Sequence, residues 1–189
     1  KEEAIKKYGF IKNWDLSLLT QTQKNDLLKT QIELNYVNKN ELLNSYETIE
    51  LLINNNADLN QQFNFNKIFN KNFGFGSPTN LSYLHKLIHI LKNPNLNILI
   101  PKSHIDIIIN NLDLTLKDGW GNNVLMNLVK YPHTFSGIGS SELDSKKQEL
   151  NNNIFNKILE KNPSLINSTD PSTHTSYGNT SLLYWSIIN

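Results

Sequence analysis

Cysteine and arginine are both missing from this chain of 189 residues. Without cysteine the chain has no disulfide, no thiolate metal site and no cysteine nucleophile. Arginine supplies most bidentate contacts to bases and phosphates, so its absence argues against nucleic acid as a partner. A net charge of +1, with 19% charged residues, gives no strong field toward nucleic acid or anionic lipid either. No run of about 18 apolar residues occurs, so no membrane span is expected. The opening Lys1-Glu2-Glu3-Ala4-Ile5-Lys6-Lys7 lacks the apolar stretch of a signal peptide.

Catalytic motifs are as scarce. Gly74-Phe75-Gly76-Ser77-Pro78 and Gly137-Ile138-Gly139-Ser140-Ser141 look superficially like phosphate loops. Neither follows a clear strand, and neither carries the lysine of a Walker loop. There is no Gly-x-Ser-x-Gly elbow. The carboxylate pair Glu47/Glu50 belongs to a solvated helix face. His85 and His89 have the i, i+4 spacing of two-histidine zinc sites, but no Glu lies between them and no third ligand is apparent. No catalytic residue, metal or cofactor is therefore expected, and the chain does not read as an enzyme.

What the chain does contain is asparagine, isoleucine and lysine in excess, as an AT-rich genome would give. Residues 1–44 read as helical, with Trp14, Leu16, Leu18, Leu19, Leu27, Leu28, Ile32, Leu34, Tyr36 and Val37 at three- and four-residue spacings. Asp15 is placed to cap a helix beginning at Leu16. Beyond this a near-repeat begins. Ile49, Leu52 and Ile53 form one helix face, and Asn56 sits where the helix should end in a left-handed residue. Residues 105–109, closed by Asn110-Asn111, form a second such helix. Phe155, Ile158 and Leu159, stopped by Lys161-Asn162-Pro163, form a third. Each is followed by a related opening: Ser82-Tyr83-Leu84-His85, Asn123-Val124-Leu125-Met126 and Thr180-Ser181-Leu182-Leu183.

Leu84-His85, Asp113 with Asp118-Gly119-Trp120-Gly121-Asn122, and Gly178-Asn179-Thr180-Ser181-Leu182 together resemble ankyrin repeats over about residues 45–189. The resemblance implies an all-α, ankyrin-type helical solenoid, with residues 1–44 as an N-terminal helical cap and 45–189 as degenerate repeats. The matched leucines are 41 and then 57 residues apart (125 − 84 and 182 − 125). An undecorated array would space them by about 33. The excess implies long inserted loops, located at about 60–78, 93–101 and 132–153, the first carrying Phe63, Phe65, Phe69, Phe73 and Phe75. The resemblance also implies that His85 bonds backbone groups of the neighbouring junction.

In function the resemblance implies a protein–protein interaction module, one part of a longer intracellular protein. The composition is similar to that of ankyrin-bearing effectors of AT-rich intracellular bacteria, which fits a cytoplasmic protein or one secreted into a host cytosol. AT-rich protists and large DNA viruses fit as well. The expected partner is another protein, including a host protein, with no nucleic acid and no membrane. Its expected contact strip is Gly119, Trp120 and Asn122 at a hairpin tip, with Lys130, Tyr131 and Tyr177 beside them. The rival reading is a substrate-recognition domain of a larger enzyme whose catalytic site lies outside this segment.

Overall fold

In a computed structural model the chain divides into two compact units, Lys1–Gln61 and Gln62–Asn189. The structure describes residues 14–33, 39–63, 81–92, 98–130 and 142–169, with only the backbone of 39–43, 130 and 144. Among the described residues the regular structure is helical, with two isolated antiparallel bridges, so the fold class is all-α. No described helix is long and apolar enough to cross a membrane.

In the first unit, Asp15 does cap a short 3-10 helix, Leu16–Leu18, by accepting from the Ser17 backbone N–H at 3.0 Å. Helix α1, Gln21–Glu33, opens with a reciprocal capping box. The Gln23 N–H donates to Thr20 Oγ1 at 3.3 Å, and the Thr20 N–H donates to Gln23 Oε1 at 2.9 Å. Leu28 and Ile32 form its buried stripe and pack on helix α2, Lys39–Asn54, which buries Tyr46, Ile49, Leu52 and Ile53. The boundary expected at residue 44 therefore falls inside α2, because the apolar face that marks the first repeat packs against α1.

Helix α2 stops as its sequence suggests. Asn56 has φ 65°, the Asn56 N–H bonds Ile53 O at 2.9 Å, and the Ala57 N–H bonds Leu52 O at 3.0 Å. This pair of bonds is a Schellman cap with asparagine in the left-handed position. Asn25 then receives the chain, its Oδ1 accepting from the Asp58 N–H at 2.8 Å.

The second unit contains helices α3 (Tyr83–Lys92), α4 (Lys102–Asn111), α5 (Val124–Lys130) and α6 (Glu142–Lys161), then a 3-10 helix, Pro163–Asn167. Helix α3 packs on α4, α5 and α6, and α6 also packs on α4 and α5. Both α3 and α5 are entered through the same device. The Phe63 N–H donates to Leu81 O at 2.9 Å ahead of α3, and the Asp118 N–H donates to Asn122 O at 2.8 Å ahead of α5. Ser82 Oγ and Asn123 Oδ1 then occupy equivalent N-cap positions, accepting from the N–H of His85 and Met126. Leu84 and Leu125 follow, both fully buried. The third equivalent, Leu182, lies outside the described residues.

Side-chain bonds fix the relative direction of the helices. Near the start of α3, His85 reaches Asn122 just ahead of α5, and at its end Lys92 reaches Asn127 and Leu128 near the end of α5. Asp106 and Ile109 along α4 meet Lys157 and Lys161 along α6 in the same order. Helices α3 and α5 thus run parallel, as do α4 and α6.

Helix α6 begins at Glu142, so the expected loop at 132–153 is helical over its last twelve positions (142 to 153), and residues 131–141 lie outside the described residues. A 2.5 Å Lys146–Glu142 pair supports its first turn. Leu150, Ile154 and Ile158, four residues apart, form a one-residue-wide buried stripe. So narrow a stripe, in a segment rich in Asn, Lys and Glu, reads as polar loop. Of the other expected insertions, 64–78 and 93–97 also lie outside the described residues.

Replacing Leu125 with Ala removes a fully buried side chain from between the helix pairs and is expected to cost roughly 2–5 kcal/mol. A urea midpoint shift at unchanged slope measures this, and a shift equivalent to less than about 1 kcal/mol rules the burial out. Asn56→Gly is expected to leave stability unchanged or improve it by a few tenths of a kcal/mol, whereas Asn56→Val, β-branched at positive φ, is expected to cost about 1 kcal/mol or more. Thermal melts of the two variants compare them directly.

Candidate functional site

The residues that set apart the second junction lie between Lys117 and Asn123, whose bridge closes a short hairpin. The Gly121 N–H bonds Asp118 O at 2.9 Å, and Gly121 takes φ 85°, which a residue without Cβ adopts at no steric cost. The Asp118 carboxylate is turned inward. Its Oδ1 accepts from the N–H of Trp120 at 2.9 Å and of Asn122 at 2.8 Å, and its Oδ2 accepts from Asn127 Nδ2 at 3.0 Å. One buried carboxylate thereby holds both arms of the hairpin to the following helix α5. Donors that converge on a carboxylate in this way satisfy it without a counter-cation.

His85 ties this hairpin to α3. Its Nε2 lies 3.2 Å from Asn122 O, and its Nδ1 lies 2.7 Å from Ser82 Oγ. A carbonyl can only accept, so Nε2 carries the hydrogen and the Ser82 hydroxyl donates to Nδ1. The backbone contact expected for His85 is thus present, and it is made to the neighbouring junction. Burial pushes His85 down to about 4 despite the opposing pull of Asp118. Burial also pushes His89 down to about 4, assisted by the neighbouring His85. One turn further along α3, Lys92 donates to Asn127 O at 2.9 Å and to Leu128 O. Its ammonium caps carbonyls in the last turns of α5, and burial brings it down to about 7. Lys161 does the same at the end of α4, reaching Ile109 O, Asn110 O at 3.0 Å and Leu112 O at 3.3 Å.

At the tip, Gly119 is exposed and Trp120 is 38% exposed. Asn122 does not belong to that strip. It is 1% exposed, with its N–H on Asp118 and its carbonyl facing His85, because the arm of the hairpin that enters a helix must satisfy its polar groups internally. Lys130 ends α5 and only its backbone is described, while Tyr131 and Tyr177 lie outside the described residues. Asp118 and Lys92 were not expected as organising residues. Asp118 stands in the sequence only as one letter of a loop motif. Lys92 stands in the sequence only as a charged residue at the end of an apolar segment.

Among the described residues no group of three or more His, Asp and Glu side chains is placed to hold a metal ion. In comparisons with protein-family models, curated proteins and solved structures, no match to this chain is found.

The buried bases set a pH dependence of stability. His85 and His89 bind a proton in the folded state only near pH 4, whereas the unfolded chain binds it near its ordinary 6.5. The unfolded state therefore holds more protons between these values, and stability falls as pH drops through that window, by at most about 1.4 kcal/mol per pH unit for each histidine. Lys92, near 7 when folded and 10.5 when unfolded, makes stability rise further as pH climbs above 7. Urea midpoints at pH 5 are expected to lie below those at pH 7.5. A flat profile between them contradicts the burial of neutral histidines.

Proposed function

We propose that this chain is a protein-recognition module of the ankyrin-repeat type, in which a rigid helical stack presents hairpin tips to a partner protein. The observation that carries this reading is the repeated junction. A backbone bridge, a capped helix start and a buried leucine occur in the same order before α3 and before α5, at Leu81-Ser82-Tyr83-Leu84 and Asn122-Asn123-Val124-Leu125. Translational repetition with nearest-neighbour ties is the organisation of solenoid proteins, whose common role is recognition over an extended surface.

In this reading the interior of each junction is structural and the tip is functional. The Asp118 carboxylate and the N–H groups of Trp120 and Asn122 are engaged in holding the hairpin, and Trp120 is the large side chain at the exposed tip. Tryptophan is enriched among residues that dominate binding energy. The module serves inside a larger intracellular or host-directed protein, and its partner surface begins at Gly119 and Trp120, with Lys130, Tyr131 and Tyr177 as further members of the strip.

Trp120→Ala is expected to weaken binding of the partner protein by about 2 kcal/mol or more, while the melting temperature stays near that of the parent chain. Titration calorimetry with a partner isolated by crosslinking through residue 120 reads the first quantity, and a thermal melt reads the second. Unchanged affinity removes Trp120 from the interface. A large loss of stability makes it a packing residue.

A further inference from the structure

The seam between α3 and the hairpin ahead of α5 gathers more titratable groups than a structural junction needs. His85, His89 and Lys92 stand at i, i+4 and i+7 on α3, so they share one face of the helix. His85 is fully buried and His89 half-buried, and Asp118 acts on both of them. On the elements packed against α3, α4 carries His104, whose Nε2 lies 3.0 Å from the Tyr83 hydroxyl, and α6 carries the buried Lys147. The described side chains of α5, from Val124 to Val129, include no ionisable group. Lys86 on α3 itself is also buried.

The bonds around His85 leave no easy place for a second proton. With Nε2 already donating to Asn122 O, a proton must go to Nδ1, which then donates where it used to accept. The Ser82 hydroxyl has to reverse and find a new acceptor. The carboxylate that could neutralise the new cation is Asp118, and its oxygens are engaged by Trp120, Asn122 and Asn127. If Asp118 turns toward the imidazolium it releases the hairpin. If it does not turn, the imidazolium of the fully buried His85 stays uncompensated in a seam that also holds Lys92, which is costly. Both routes load strain onto the contacts that hold the hairpin.

We propose that the α3–hairpin seam is an acid-sensitive latch, in which protonation of His85 and His89 frees the 117–123 hairpin, and Trp120 with it, while the helices stay formed. The two imidazoles oppose each other's charge, and Lys92 opposes that of His89, so the protonations push in the same direction. If Trp120 is the partner-binding residue, as the proposed function has it, acidification below neutral pH releases the partner before the chain unfolds. The latch itself does not need that reading, because it is visible with no partner present.

The test uses the full 189-residue chain. In the double variant Trp14→Phe, Trp185→Phe the single remaining indole is Trp120. Its emission and the far-ultraviolet circular dichroism are followed together from pH 8 downward. The expected result is an emission shift with a midpoint between about 4 and 6.5, at a pH where helical dichroism is still that of pH 8. His85→Gln keeps a donor toward Asn122 but cannot be protonated. It is expected to lower that midpoint by a pH unit or more, or to abolish the shift. Emission and dichroism changing together in one acid transition overturn the latch, as does a midpoint unmoved in both His85→Gln and His89→Gln. Should the substituted chains lose their helical signal at pH 8, imidazole and Trp120 indole resonances of the unsubstituted chain decide. A shared titration midpoint ahead of unfolding supports the latch, and an indole that does not follow His85 or His89 overturns it. A separate binding titration at pH 7.5 and 5.5 then bears on Trp120 as a partner contact, so the two ideas fail independently.

Discussion

The second junction depends on the inward turn of the Asp118 carboxylate. A hairpin this short cannot satisfy its own N–H groups through a ladder, and it must also feed directly into a helix whose first donors are open. Asp118 answers both needs from one position, holding Trp120 and Asn122 on one oxygen and Asn127 on the other. With the hairpin fixed in this way, Asn122 presents its carbonyl to His85. Asn123 is left to cap α5 and to reach Ser168 Oγ with its side-chain amide at 2.6 Å. Helix α3, the hairpin and α5 are joined through this group of side chains.

The lysines complete the same arrangement from the other end of the helices. Lys92 and Lys161 each come from the end of a helix and lie against carbonyls near the end of the parallel neighbour. An ammonium has three donors that rotate freely, which suits carbonyls splayed around a helix end better than it suits a planar acceptor. In a chain without arginine this is the cationic contact that remains available. Its cost is desolvation, visible in the lowered value of Lys92, and carbonyl bonds plus the helix dipole offset it. Apolar packing at Leu84, Leu125 and Ile158 supplies the bulk of the attraction. The polar ties fix direction and register.

Local signals were legible in the sequence where a residue type has one strong physical use. Asp15 as a cap, Asn56 in the left-handed position, Pro163 beyond α6 and the paired leucines at 84 and 125 follow from short-range rules. The hairpin at 117–123 was legible as well, because Asp-Gly and Gly between periodic segments leave few alternatives. What the sequence concealed is what depends on distant partners. The polar first half of α6 is helical because a single apolar stripe meets the other helices, and α2 belongs with α1 although its pattern reads as the first repeat. Asn122 was expected at the surface together with Trp120, since sequence gives the hairpin its tip but not the side from which His85 approaches it.

The bridge between Phe63 and Leu81 has a consequence for how such a chain can diverge. Two mutual backbone bonds close the interval between these residues at its base, immediately before the Ser82 cap of α3. Once two residues are held together, the entropy lost on closing the chain between them rises only with the logarithm of its length, about 0.6 kcal/mol for each doubling. Sequence can therefore be gained, lost or exchanged within that interval while the entry to α3 keeps its place. A lineage can change the chain between Phe63 and Leu81 without rebuilding the start of α3.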